Sequence, residues 1–205
     1  MLTIKQISFV LTLVILSGLL APAIAAEAEP LPFMETTGST TRPIGHQEFC
    51  MRHWSECRVK SRTDARVHLT AARWNDLVAI NNDINRATMP VTDAELFGRE
   101  EVWVYPESMG DCEDFVLLKR RELMATGWPV GSLLVTVVRQ KNGDGHAVLT
   151  VRTDRGDLVL DNLHSQVKIW SQTDYQYVKR QSEFHTGRWV AIDDARTPLV
   201  GSLTR

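Results

Sequence analysis

The chain of 205 residues predicts an α+β fold, with helices first and an antiparallel sheet after them. Three observations lead there. Apolar residues recur at three- and four-residue spacing through residues 58–87, as on a core-facing helix. A well-punctuated helix is expected over residues 111–126. Three short runs rich in β-branched residues then follow, separated by tight turns. The composition fits a globular class, with 43% apolar residues and six Trp.

The first element is a leader. Residues 1–25 carry one cation, Lys5, no acid, and an apolar stretch from Ile7 to Leu20. Pro22-Ala23-Ile24-Ala25-Ala26 then supplies a small-residue cleavage site. The stretch is too short for a stable span, so it reads as a secretory signal peptide. A periplasmic location is expected, with no membrane insertion once the leader is removed. Residues 26–42 are rich in Ala, Glu, Pro, Thr and Gly and read as a flexible lead-in. One domain is expected over residues 43–205, long enough for a core of its own.

Within it, residues 58–87 read as helical in two stretches. Leu69, Trp74, Leu77, Val78 and Ile84 form the core-facing stripe, and Pro90 ends it. Trp103-Val104-Tyr105 reads as a short extended segment closed by Pro106. Asp111 is a good N-cap, Cys112 takes the first helical position, and acids fill the first turn. Gly127 and Pro129 close that helix. Residues 133–138, 146–153 and 157–161, joined by Lys141-Asn142-Gly143-Asp144-Gly145 and Asp154-Arg155-Gly156, predict an antiparallel meander. Further strands are expected around residues 175–178 and 189–191.

Loss of the leader removes one Lys and no acid from 23 basic and 25 acidic residues. The remaining net negative charge argues against a nucleic-acid partner, which would need a basic stripe. Export also sets the redox context for Cys50, Cys57 and Cys112. Cys50 and Cys57 are close enough in sequence to bridge, and this pairing is expected. Cys112 is then the odd thiol. It stands where helix N–H groups and the helix dipole favour a thiolate. The other histidines show no metal-ligand spacing, apart from the imitation of a zinc cluster by Cys50, His53 and Cys57.

A nucleophilic cysteine needs a base, and the base needs a group to orient it. His146 and Asp161 suit those roles. If Asp154-Arg155 is a two-residue loop, Thr153 faces Gly156 and the same register sets His146 opposite Leu163. Asp161 is then the diagonal neighbour of His146 on one face, within side-chain reach. Singly, each residue has a plainer role: a small core cysteine, a turn histidine, a strand-ending aspartate. Together, in the order helix, strand, strand, they specify a Cys112–His146–Asp161 catalytic triad.

Gly110-Asp111-Cys112-Glu113-Asp114-Phe115, with Lys119 further along the helix, resembles the signature of the bacterial transglutaminase-like cysteine proteinases. This family includes the LapG-type periplasmic adhesin proteases. The resemblance extends through Trp103-Val104-Tyr105-Pro106, H-A-V-L from His146, L-D-N-L from Leu160 and I-N-N-D-I-N from Ile80, covering roughly residues 45–192. It implies a papain-like or transglutaminase-like fold, with the nucleophile helix packed on an antiparallel sheet. It implies a cysteine protease that hydrolyses a peptide bond, with His as base and Asp as orienter. The substrate it implies is a large surface adhesin, and the regulator an inner-membrane receptor.

Asp111, Glu113 and Asp114 crowd three carboxylates around the nucleophile. Favourable helix-end charge explains them in part. Yet anions beside a thiolate raise its pKa unless a cation offsets them, and hard oxygen ligands in an exported protein suggest calcium. The resemblance makes Asp111 and Glu113 the leading calcium ligands, with Asp114 beside them. Two other functions suit the same residues: a transglutaminase or amidase using the same triad, and a non-catalytic calcium-stabilised interaction module of the envelope.

Overall fold

The computed structural model describes residues 32–61 and 66–196. The expected signal peptide at residues 1–25 lies outside the described residues, as does the start of the lead-in. Among the described residues no helix is long and apolar enough to cross a membrane. In chain order the elements are β1 (Glu35–Thr40), α1 (Ile44–Arg52), α2 (Ala71–Ala87), β2 (Met89–Pro90), α3 (Asp93–Phe97) and β3 (Met109–Gly110). They continue with α4 (Cys112–Ala125), β4 (Leu133–Arg139), β5 (Gly145–Thr153), β6 (Gly156–Leu160), β7 (Lys168–Ile169), β8 (Gln176–Ser182) and β9 (His185–Asp193).

The fold is α+β. A seven-stranded antiparallel sheet runs in the order β1-β9-β8-β4-β5-β6-β7. The run L-L-V-T-V-V-R makes β4, which is central because nearly all its residues are buried and β-branched side chains suit a pleated, covered surface. The expected meander is β4-β5-β6. Its second turn is Asp154-Arg155, with Thr153 opposite Gly156 and Leu149 opposite Leu160. Gly156 sits at φ +134°, a conformation that L side chains rarely adopt.

Helix α4 packs on β5 and β4, and α2 packs on α4. Val116, Leu117 and Leu123 of α4 share one core with Leu77 of α2 and with Val135, Leu149, Val151 and Leu160 of the sheet. Val138, Val148 and Val159 point into a second core with Trp170, Tyr175 and Tyr177. Alternate residues of each central strand thus serve both faces, which is why these strands read as nearly continuous apolar runs.

Three expectations need correction. The segment read as a flexible lead-in contains β1, which pairs with β9, and Met34 just before it is buried. Its Thr-rich sequence suits an edge strand once a partner edge is present, and local composition does not show that partner. Among the described residues of 58–87 there is one helix, α2, not two stretches. Before α2 the chain is extended, with Lys60 bridging to His185 and Val67 to Thr153. Trp74 is 38% exposed instead of core-facing, while Leu77 and Ile84 of the same stripe are buried.

Candidate active site

Cys112 is the first residue of α4, after an N-cap at Asp111 in extended conformation. It is a free, half-buried thiol, because Cys50 and Cys57 are joined in a disulfide. The Asp111 side chain makes no capping hydrogen bond, unlike the ordinary role of such a residue. The Cys112 S–H donates to Glu113 Oε2 at 3.2 Å. Burial pushes the thiol up, Glu113 and Asp111 push it further, and the Ala147 N–H acts in the opposite direction. The lowering expected from the helix start is therefore outweighed by dehydration and two neighbouring acids.

His146 is the second residue of β5 and is buried. Its Nε2 lies 2.9 Å from Asp161 Oδ1. Asp161 follows the last residue of β6, so the register sets the pair as expected, but the strand ends before reaching Leu163. Leu163 instead turns back, and its N–H donates to the same carboxylate oxygen at 3.0 Å. The other oxygen, Oδ2, accepts from the Tyr175 hydroxyl at 2.5 Å. Burial pushes the Asp161 carboxyl up, but hydrogen bonds and charge from His146, with Tyr175 and Leu163, outweigh it and hold the group below its ordinary range.

Cys112 and His146 open into one cleft of about 460 Å³, whose wall includes Ile44, Trp103, Val137 and Lys179. The structure thus sets a thiol at a helix start and an imidazole on the wall of one cleft, with a carboxylate bonded to that imidazole. Two larger cavities of about 660 Å³ each lie elsewhere, and neither is lined by these three residues. Gly45, next to the cleft-lining Ile44, is required there, since a Cβ would stand 2.3 Å from the Trp103 ring.

The sequence of residues 36–197 matches the family described as bacterial transglutaminase-like cysteine proteinase. The chain belongs to that family. As a bacterial transglutaminase-like cysteine proteinase it is a cysteine peptidase, and its substrate is a protein. No curated protein matches the sequence. Solved structures of Legionella pneumophila LapG are similar to it. One is 28% identical and covers 58% of this chain and 68% of its own, with a TM-score of 0.49. The calcium-bound form is 26% identical, covers 64% and 74%, and has a TM-score of 0.50. An EGTA-treated form is 27% identical, covers 60% and 72%, and has a TM-score of 0.49.

In this proteinase the acids near Cys112 include one that sequence reasoning missed. Ligand oxygens of Asp93, Asp111 and Asp114 lie within 4.8 Å of one another, as do those of Asp111 and Glu113 with the Cys112 sulfur. Asp93 opens α3, and its Oδ2 accepts the Val102 N–H. Asp114 Oδ1 accepts the Val104 N–H at 2.8 Å. Asp93 Oδ1, Asp111 Oδ1 and Asp114 Oδ2 are buried without a hydrogen-bond partner. Burial raises both acids in the first turn of α4: Asp114 is pushed up to about 7, and Glu113, with Asp111 against it, to about 9. Burial also raises Asp111. Gly110 is needed here, because a Cβ would come 2.6 Å from Asp114 Oδ2.

The sequence carried one cue to Asp93. Thr92 and Glu95 form a capping box around it, which marks a helix start and hence oriented backbone. It gave no cue that the Asp93 carboxylate turns toward Asp111. The zinc-like grouping also shifts. His46, not His53, lies against the sulfurs of Cys50 and Cys57, at 3.7–3.9 Å, and the disulfide occupies both cysteines. His53 stacks on Phe49 instead. His46 is a core residue: the Trp189 indole N–H donates to its Nδ1 at 3.1 Å, and burial lowers its pKa to about 3.

Proposed function

We propose that this proteinase is exported through a cleaved signal peptide, and that in the periplasm it hydrolyses a peptide bond through Cys112, His146 and Asp161. One observation carries the reading: a free thiol at a helix start shares a cleft with an imidazole whose far nitrogen is bound to a buried carboxylate. That bond leaves His146 Nδ1 to serve the sulfur. In the reaction the Cys112 proton passes to His146, and the thiolate sulfur attacks the carbonyl carbon. The backbone N–H of Cys112 supplies part of the site that receives the oxyanion. The tetrahedral intermediate collapses as His146 protonates the leaving amine, giving a thioester and a free amino terminus. Water, deprotonated by His146, then attacks the thioester and releases the acid and the thiol. Asp161 holds the imidazole and balances its charge throughout.

Calcium is the metal we assign to the acid cluster. Its fit rests on three carboxylates, Asp93, Asp111 and Asp114, that bring oxygens within 4.8 Å of one another and each hold one buried oxygen without a hydrogen-bond partner. These and Glu113 would hold it, with backbone carbonyls or waters completing the six to eight oxygens calcium takes. Bound there, the ion would offset the carboxylates that raise the Cys112 thiol, favouring the thiolate. A LapG structure with calcium bound supports the choice of metal.

For substrate and regulator we propose the pairing that the LapG-type resemblance suggests, a large surface adhesin and an inner-membrane receptor. The test is incubation of the purified protein, with calcium, against a surface-protein extract, followed by amino-terminal sequencing of new fragments. New termini that form with the natural protein and not with Cys112→Ala are the expected result. Fragments joined to an added amine in place of water would make it a transglutaminase. No product of either kind, with Cys112 inert to alkylation, would point to a non-catalytic envelope module.

A further inference from the structure

Asp161 is held from more sides than a triad carboxylate requires. Its Oδ1 takes the His146 and Leu163 bonds, and its Oδ2 takes the Tyr175 hydroxyl. Its backbone is held as well. The Asp161 N–H donates to Asn81 Oδ1 at 3.1 Å, and the Asn85 amide donates to the Asp161 carbonyl at 2.8 Å. Asn81 is fully buried, and its amide also donates to the carbonyls of His164 and Ser165 at 3.0 and 3.2 Å. Helix α2, which carries no member of the triad, therefore clamps the loop on which Asp161 rides.

Tyr175 stands on the opposite side of that carboxylate. It is buried, precedes β8, and its ring centroid is 5.4 Å from that of His146 at a tilt of 52°. One side chain thus binds the carboxylate and walls in the imidazole that the carboxylate orients. Lys119 from α4, Tyr177 from β8 and His146 from β5 are further titratable groups whose charge acts with Asp161. The His164 ring and the Asp174 charge also act on Tyr175. Tyr175 is the member that touches the carboxylate oxygen His146 leaves free.

We infer that Tyr175 is a positioning residue for the reaction, fixing the Asp161 carboxylate in the plane of the His146 imidazole while Asn81 and Asn85 fix its backbone. The inference rests on the triad reading above. Without the Tyr175 hydroxyl, Oδ2 has no donor and the carboxylate can rotate about the bond to its Cβ. The imidazole then loses its fixed orientation toward Cys112.

The test is a double-mutant cycle on the full chain, read by the rate at which iodoacetamide alkylates Cys112, the single free thiol. Tyr175→Phe keeps the ring and removes only the hydroxyl, so the fold should hold. The expected result is a loss of about tenfold at pH 6, the scale of one hydrogen bond to a charged group. Asp161→Asn should lose more, and the double variant should be no slower than Asp161→Asn alone. Non-additivity of that kind is what a purely structural role would not produce. A natural rate in Tyr175→Phe beside a slowed Asp161→Asn would overturn the inference and leave the triad standing. Fully additive losses would overturn it too. A natural rate in Asp161→Asn would instead remove the triad reading on which it rests.

Discussion

His146 Nε2 and Asp161 Oδ1 stand 2.9 Å apart, fifteen residues apart in sequence, because the β5–β6 hairpin sets them as diagonal neighbours. The two-residue turn at Asp154-Arg155 decides this. A slip of one residue would send one of the two side chains to the opposite face of the sheet. The geometry of the candidate triad is therefore encoded in a turn several residues from it.

Asp161→Asn tests the charge without changing the shape. The amide loses the negative charge that balances the imidazolium, while the Asn81 and Asn85 contacts to the backbone remain. Turnover should fall by roughly 10- to 10³-fold, less than in serine triads because a thiol needs less help from its base. The melting temperature should stay within a few degrees. Cleavage of a substrate peptide identified from the fragment analysis is the measurement. Undiminished turnover would mean that another group orients His146.

Calcium should stabilise the fold. Asp93, Asp111 and Asp114 hold partnerless oxygens that a cation would satisfy. A ligand at a hundred times its dissociation constant contributes about 2.7 kcal/mol. For a domain of this size that is roughly 5–10 °C in melting temperature. Asp93→Asn and Asp111→Asn should each lose most of the rise. Superimposable melting curves in calcium and in EGTA would rule out the site.

Much of the candidate site is legible in the amino-acid sequence, for a physical reason. Residues 112–125 form a helix through signals that act locally: an extended residue before it, acids in its first turn, and Gly127 after it. The register of β5 and β6 follows from one turn. Tyr175 and Asp93 are different. Tyr175 reaches Asp161 only because the chain from residue 162 to 174 loops back, and no local pattern states where that loop ends. Asp93 sits in a capping box that announces a helix, while its contact with Asp111 depends on how α3 lies against α4. β1 is hidden for a similar reason, since its Thr-rich segment becomes a strand only against β9.

Cys112→Ala should abolish alkylation and peptide cleavage together and leave the fold intact. Ala is tolerated at the first position of a helix, and Cys112 is only half-buried. A melting temperature within about 3 °C of the natural protein is expected, read by circular dichroism. Loss of folding in this variant would make Cys112 a structural residue.

The last prediction concerns Lys119, whose stability effect depends on pH with a definite sign. Its side chain is fully buried, its Nζ has no hydrogen-bond partner, and it lies over the Phe115 ring, 5.8 Å from the centroid. Burial lowers its pKa to about 7, although the Asp161 charge works upward. In the unfolded chain the same lysine titrates near 10.5. Between pH 7 and 10.5 the unfolded state therefore binds more protons than the folded state, so this group makes stability rise with pH across that window. Below pH 7 both states are protonated and the full cost of burying the charge is present. Lys119→Met keeps the length of the side chain and removes the charge, as in buried-charge replacements that stabilise. The variant should be more stable than the natural protein by a few kcal/mol at pH 6. That advantage should fade toward pH 10, and it will be partly reduced by the lost attraction to Asp161. Urea unfolding at pH 6, 8 and 10 measures the difference between the two proteins, in which titrations common to both cancel. A difference that stays constant over this range would mean that the Lys119 ammonium is hydrated in the fold and its pKa is not lowered there.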